Sequence, residues 1–233
     1  MSAIARIFVV MTAFGGALLW SAPRQPEDVA PSSTVIVPRR PSRFVLVPQI
    51  SVLNPGSFTL TNDAYTSHYS KSQFGIPALF VGGAYHLGSR PNLEFYLDGK
   101  LGYGSKSGLV PVDRRASGSQ LGGSFNEDVR LHYLPLSLGP RAVWSIPGIT
   151  FLRPTLSAGL GTALLAQVGD SQGFSHTYLL PFYYVTPGLT FLEGNGATDW
   201  FGGFQFGVSY LSTFASEQVM HGMAVDLSVN ILL

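Results

Sequence analysis

The sequence predicts an all-β protein, an eight-stranded antiparallel up-and-down barrel that spans a membrane. Three observations support this prediction. Segments with apolar residues at every second position recur along the chain, the connections between them alternate strictly in length, and only 12% of the 233 residues are charged. Soluble domains carry about 25% charged residues. A soluble fold of this composition would have too few charges for its surface, and the mean hydropathy of +0.24 agrees.

The segment from Leu93 to Tyr103 shows the alternation most clearly. Leu97 and Leu101 share one face with other apolar residues, whereas Glu94, Asp98 and Lys100 lie on the other. Successive side chains of a strand point to opposite sides, so the segment reads as a strand with an apolar and a charged face. A helical period would scatter the charges around a cylinder. Such a strand suits a soluble sheet with the apolar face inward or a membrane barrel with that face outward.

The amino-terminal region precedes the predicted barrel. Residues 1–22 combine a positive charge at Arg6 with an apolar run from Ile7 to Leu19, as in a secretory signal peptide that is too short to span a bilayer. Trp20 and Pro23 fit a cut after Ala22 poorly, so the cleavage position stays open. Residues 23–43 are rich in proline and arginine and are interpreted as a flexible arm. Residues 44–233 form the predicted barrel.

Eight strands are predicted in this region. They run from Phe44 to Leu53, Ile76 to Leu87, Leu93 to Tyr103, Val129 to Trp144, Ile149 to Leu164, Tyr178 to Leu192, Trp200 to Tyr210 and Val219 to Leu233. Short turns at 88–92, 145–148 and 193–198 alternate with long polar loops at 54–75, 104–128 and 165–177. This alternation places every long loop at one end of the barrel, with both termini at the other.

The pattern resembles the small eight-stranded outer-membrane β-barrel family of Gram-negative bacteria, of the OmpX and OmpA-barrel type. The stretches Tyr133 to Arg141 and Leu152 to Gly161 look like its fourth and fifth strands, and the last strand, from Gly222, resembles its assembly signal. The family usually ends in an aromatic residue, whereas this chain ends in Leu233. The resemblance implies an outer-membrane monomer with periplasmic termini, in contact with lipid, lipopolysaccharide and the barrel assembly machinery.

The predicted interior and rims follow from strand parity. An eight-stranded barrel is just wide enough for side chains to fill it. We expect a salt-bridged polar plug in which Glu94 pairs with Arg141 and Arg153, and no open pore. The inward charged residues are Glu94, Asp98, Lys100, Arg141, Arg153 and Asp226. Interfacial aromatic girdles are expected at Tyr103 and Tyr210 on the loop side, and at Trp144 and Trp200 on the turn side.

The sequence also narrows the possible functions. Absence of cysteine excludes disulfides and thiolate chemistry, and a net charge of +1 argues against nucleic acid. We expect no enzyme activity, metal or cofactor, and a role in envelope integrity or in surface contact through the long loops, with a partner that the sequence does not identify.

Two alternatives remain. One is a soluble periplasmic lipocalin-like barrel that binds a hydrophobic ligand. The other is a lipid A-modifying barrel enzyme, for which His68, Ser70 and nearby Asp63 are the candidate residues. Asp170 with His176 is a further candidate acid–base pair, whereas His221 and Asp226 should face opposite sides.

Overall fold

The computed structural model describes residues 43–70, 75–115, 122–169, 174–192, 201–214 and 220–233. The predicted signal peptide and the arm up to residue 42 lie outside these residues. The described part forms ten strands. They are β1 (Phe44–Pro55), β2 (Phe58–Thr61), β3 (Tyr65–Tyr69), β4 (Ile76–Arg90), β5 (Leu93–Arg114), β6 (Gly123–Trp144), β7 (Leu152–Gly169), β8 (Ser175–Phe191), β9 (Phe201–Thr213) and β10 (His221–Leu232).

Eight of these strands close into a ring. Each pairs antiparallel with its neighbour in the order β1, β4, β5, β6, β7, β8, β9, β10, and β10 returns to β1. Closure gives every ring strand two partners and removes the open edge that an unclosed sheet would expose. The predicted fold class, an eight-stranded up-and-down antiparallel barrel, is confirmed. The remaining strands, β2 and β3, form a hairpin, and within the described residues β3 pairs with the tip of β5.

Tight turns connect strands at one end of the ring. Between β6 and β7, Ile146 and Ile149 bridge each other across Pro147 and Gly148, whose φ is +81°. Proline followed by a residue with positive φ is the pattern of a type II turn, which glycine adopts without strain. Leu233 N donates to Phe44 O over 3.0 Å, so the barrel begins and ends at this same end. We call it the turn end, and the opposite end the loop end.

The predicted long loops are partly wrong. β5 runs on to Arg114 and β6 starts at Gly123, paired directly with it, so most of the loop predicted at 104–128 is strand. Likewise, the loop predicted at 54–75 contains the β2–β3 hairpin. Val110, Val112 and Val129 explain the extension, because they are fully buried and alternate with exposed neighbours. We call β2, β3, residues 105–114 of β5 and residues 123–132 of β6 the cap.

The outer face of the ring is apolar. Leu79, Leu101 and Leu138 are each more than half exposed, whereas Asp98, on the opposite face of β5, is 1% exposed. Similar outward residues occur on all eight ring strands, including Ile50, Leu160, Leu179, Phe204 and Leu227. We call this surface the apolar belt. Its orientation is the opposite of what a soluble lipocalin-like barrel predicts. In the described residues, no helix is long and apolar enough to cross a membrane.

The inner face is divided into three layers. At the turn end, a lower apolar cluster contains Val45, Val47, Ala84, Tyr96 and Val143. At the loop end, an upper apolar cluster includes Leu53, Val110, Val129, Tyr133 and Phe182, and extends into the cap at Leu60 and Tyr69. Between them lie buried polar residues, which include Gln49, Ser51, Asp98, Arg141, Ser157, Gln205 and Asp226. We call these the polar layer.

Candidate functional site

Asp226 is the centre of one side of the polar layer. Its strand, β10, pairs with β1 on one side and β9 on the other, so donors from both neighbours reach its carboxylate. Gln49 Nε2 donates to Oδ1 over 3.0 Å and Ser51 Oγ to the same oxygen over 2.6 Å. Ser209 Oγ donates to Oδ2. The buried charge is therefore stabilised by three hydrogen bonds.

Lys100 links Gln49, a hydrogen-bond donor to Asp226, to Asp98. Its ammonium donates to Gln49 Oε1 over 2.9 Å and lies 3.7 Å from Asp98 Oδ2. Because Gln49 in turn donates to Asp226, one lysine links two carboxylates across β1, β5 and β10. Opposite charges at this separation in a poorly hydrated interior compensate part of the cost of burial.

Glu94 and Arg153 come together at the turn end, with Arg153 Nη1 3.4 Å from Glu94 Oε1. Tyr96 donates to the other carboxylate oxygen of Glu94 over 2.7 Å. Arg141 has different contacts from those expected. It lies directly opposite Tyr96 in the β5–β6 register, its guanidinium stacks 5.0 Å from that ring, and Nη1 donates to Gln205 Oε1 over 3.4 Å. The register places Tyr96 where the sequence suggested Glu94.

Sequence reasoning missed the uncharged members of the layer. Gln49, Ser51, Thr155, Gln205 and Ser209 supply most of its hydrogen bonds, and Gln205 Nε2 donates to Thr155 Oγ1 over 3.4 Å. The alternation of inward and outward positions along each strand could have identified these residues from the sequence. In β1, Gln49 and Ser51 alternate with the outward residues Ile50 and Val52, which already places them inside a barrel whose apolar face points outward.

Two tyrosine–histidine pairs lie on the outer face toward the loop end. Tyr103 OH is 2.9 Å from His132 Nδ1, and Tyr210 OH is 3.4 Å from His221 Nδ1. Both tyrosines are exposed, and Trp144, half-buried, ends β6 at the turn end. Trp200, the fourth predicted girdle residue, lies outside the described residues.

One of the three catalytic candidates, His68, lies next to Asp113 of β5. His68 Nε2 lies 2.8 Å from Asp113 Oδ2, and Ser124 donates to Asp113 Oδ1 over 2.6 Å. These hydrogen bonds, from Ser124 first and His68 second, lower the pKa of Asp113 below its ordinary 3.8.

A serine–histidine contact lies at the loop end, where Ser212 Oγ is 2.6 Å from His221 Nδ1 and Ser212 is 2% exposed. His221 faces outward and Asp226 inward, on opposite faces of β10. Asp170 lies outside the described residues. Within those residues, no group of three or more histidine, aspartate or glutamate side chains could hold a metal ion.

Closure of the ring, an apolar belt outside and buried polar residues inside together define a transmembrane β-barrel. In this architecture ring strands pair with one another, and hydrocarbon-compatible side chains face the surroundings. The ordinary soluble arrangement has the reverse polarity.

Comparison with solved structures finds outer-membrane barrels. The chain is similar to Neisserial surface protein A at 13% identity, covering 82% of this chain and 98% of that one, with a TM-score of 0.46. It is similar to the attachment invasion locus protein Ail of Yersinia pestis, solved in complex with the heparin analogue sucrose octasulfate (12%, 81% and 99%, TM-score 0.41). It is also similar to the outer membrane protease OmpT of Escherichia coli (7%, 85% and 99%, TM-score 0.45).

Similarities this weak establish neither a shared activity nor a shared ligand. No protein-family model and no curated protein sequence matches the chain.

Proposed function

We propose that the protein is a non-enzymatic barrel of the Gram-negative outer membrane, which serves envelope integrity or surface contact through its cap. The apolar belt is the observation that carries this proposal. Burying such a surface in hydrocarbon is favourable at about 25 cal/mol per Å² of apolar area. The same area exposed to water would promote aggregation.

The proposed orientation has the turn end, with both barrel termini, in the periplasm and the cap outside the cell. The cap carries exposed polar groups such as Asp128 and Arg130 on a rigid β-scaffold, which suits contact with a partner. Its partner remains unassigned. Lipid and lipopolysaccharide would surround the belt, and the barrel assembly machinery would recognise β10 in a monomeric protein.

The layered interior supports a barrel without an open pore. Ion pairs and hydrogen bonds join side chains of opposing strands in the polar layer, and apolar clusters cover this layer on both sides. In planar bilayers we expect no stable large conductance from the purified protein. A steady conductance would contradict the filled interior while leaving membrane insertion intact.

Heat modifiability tests the main proposal. The full chain would be expressed in a Gram-negative host, and unboiled and boiled outer-membrane fractions compared on a denaturing gel. A closed barrel resists detergent until heated, so its band should shift. Recovery in periplasmic extract with no shift would overturn the proposal.

Two glycine variants provide a matched control for closure. A Cβ at Gly139 would lie 2.1 Å from the carbonyl oxygen of Ala158 in the paired strand, whereas a Cβ at Gly88 would meet nothing within 4 Å. Gly139→Ala should therefore weaken or abolish the shifted band, and Gly88→Ala should keep it. Equal behaviour of the two variants would mean that the shift does not report the described strand packing.

A further inference from the structure

Several buried polar atoms on one side of the polar layer make no hydrogen bond within the described residues. They are both carboxylate oxygens of Asp98, Nε of Arg141, Oγ of Ser157 and the hydroxyl of Tyr184. The Tyr184 hydroxyl faces Ser137 without reaching good hydrogen-bond geometry. Each unsatisfied buried group costs about 1–3 kcal/mol, so a cluster of them requires an explanation.

Strand register places these groups close to one another. Asp98 in β5 lies opposite Gly139 in β6, and Tyr184 in β8 lies opposite Gly159 in β7. The two glycines are adjacent, since a Cβ on Gly139 would lie 2.6 Å from the Cα of Gly159. Two residues without side chains therefore lie between the strands that carry the carboxylate and the tyrosine.

The remaining groups border the same glycine pair. Arg141 follows Gly139 at the next inward position of β6, and Ser157 precedes Gly159 at the corresponding position of β7. These two residues are themselves paired across β6 and β7. The ring of Tyr184 lies against Gly159, with its Cε1 2.8 Å from where a Cβ would stand. The four groups thus come from four adjacent strands, β5 to β8.

We propose that these groups form a buried water site, in which water molecules bridge Asp98 to Arg141, Ser157 and Tyr184. The donor set identifies the ligand. The Asp98 oxygens only accept hydrogen bonds, Arg141 Nε only donates, and the two hydroxyls do both. A cation would meet the guanidinium and an anion would meet the carboxylate, whereas water can satisfy both groups at once.

The apolar clusters isolate this water from bulk solvent. Tyr133 and Phe182 of the upper apolar cluster lie on the loop side of the site, and Tyr96 and Val143 of the lower apolar cluster lie on the turn side. Exchange therefore requires a local opening of the barrel interior, and the bound water should be long-lived. This inference concerns the folded interior and does not depend on which membrane holds the barrel.

A crystal structure of the full chain in a lipidic mesophase tests the site directly. We expect ordered waters within about 2.6–3.2 Å of Asp98 and of at least one of Arg141, Ser157 and Tyr184. Soaks with rubidium and bromide, followed by anomalous scattering, distinguish water from a bound ion. Direct contact between Asp98 and Arg141 without intervening density, or an anomalous peak in the site, would overturn the proposal.

A hydroxyl-deletion pair gives a second test in solution. Tyr184→Phe removes a hydroxyl from the site, whereas Tyr103→Phe removes one from the outer face. Magnetic relaxation dispersion of the water nuclei should report fewer long-lived waters in Tyr184→Phe and an unchanged number in Tyr103→Phe. Both proteins are first required to show the heat-dependent gel shift. An equal count in the two folded variants would contradict the site.

Discussion

Asp226 illustrates how single residues are accommodated inside the barrel. A buried carboxylate is costly unless donors surround it. Its position on β10, between β1 and β9, brings Gln49, Ser51 and Ser209 to its two oxygens. No opposite charge makes direct contact with it among the described ion pairs. Hydrogen bonds from neutral side chains, rather than a salt bridge, are its direct support.

Replacement of Asp226 should therefore destabilise the barrel. In Asp226→Leu, three buried donors lose their acceptor, and we expect the free energy of unfolding to fall by about 2–4 kcal/mol, as measured by urea unfolding in detergent micelles. Asp128→Leu is the matched control, because Asp128 is exposed on the outer face of β6. Its effect should stay within about 0.5 kcal/mol. Similar losses in both variants would contradict the role of the buried contacts.

Asp113 joins the β2–β3 hairpin to the barrel strands, and its contacts should depend on pH. Its pKa is lowered below 3.8 in the folded protein, so the ionised carboxylate favours folding above that value. This contribution is lost as the pH falls through the lowered pKa. Hydrogen exchange at Ser67 and Val112, corrected for intrinsic rates, should show loosening only in strongly acidic solution.

The variant Asp113→Asn gives the control for this effect. It cannot gain or lose a proton at this position, so the acid-dependent loosening should disappear. An unchanged acid response in the variant would assign the loosening to another group.

At the scale of elements, β5 and β6 are longer than a membrane requires. Each has 22 residues, whereas a tilted transmembrane strand needs about 9–11. The additional residues continue the alternation of exposed and buried positions. Val110 and Val112 pack with Leu60 and Tyr69 of the hairpin, so the upper apolar cluster continues from the barrel into the cap.

The two faces of β2 should respond differently to charge. Leu60 is 1% exposed and Thr59, its neighbour, is exposed. Leu60→Asp should undock the hairpin and accelerate proteolytic cleavage within residues 56–75, while the heat-dependent gel shift persists because the ring excludes β2 and β3. Thr59→Asp should be cleaved at the wild-type rate. Loss of the gel shift in Leu60→Asp would show that the ring depends on the hairpin.

At the scale of the whole molecule, the barrel has opposite polarity profiles outside and inside. Outside, an apolar belt runs around the ring with exposed tyrosines at its loop-end margin. Inside, polarity changes along the axis from apolar to polar and back to apolar. The inward residues of β1 follow the same order along the strand: Val45 and Val47 are apolar, Gln49 and Ser51 are polar, and Leu53 is apolar again. The outer profile suits lipid, and the inner one is the basis for the proposed barrel without an open pore.

The position of the belt in the bilayer can be tested with two substitutions that each place an arginine on the outer face. Leu138 lies midway along the belt portion of β6, while Leu109 lies on the outer face of β5 beyond Tyr103, and their exposures are 57% and 59%. Leu138→Arg should lower the free energy of unfolding in lipid vesicles by about 2–4 kcal/mol, and Leu109→Arg by about 0–1 kcal/mol. Equal costs would contradict the proposed depth of the belt.

The amino-acid sequence defines the period of the strands and hence which residues share a face. Because successive side chains of a strand alternate, Asp98 and Lys100 had to face away from Leu97 and Leu101 wherever the strand lay. The alternation of connection lengths likewise predicted an up-and-down order of strands, because antiparallel neighbours place successive connections at opposite ends, whereas closure of the ring depends on the long-range pairing of β1 with β10.

Which interior side chains contact one another depends on the register between the strands. The β5–β6 register placed Tyr96, not Glu94, opposite Arg141, and a shift of two residues would have kept every face while changing every partner. Formation of the cap also depends on tertiary contacts. Val110 and Val112 count as strand residues only because β6, β2 and β3 cover them, and burial against distant segments cannot be read from local alternation.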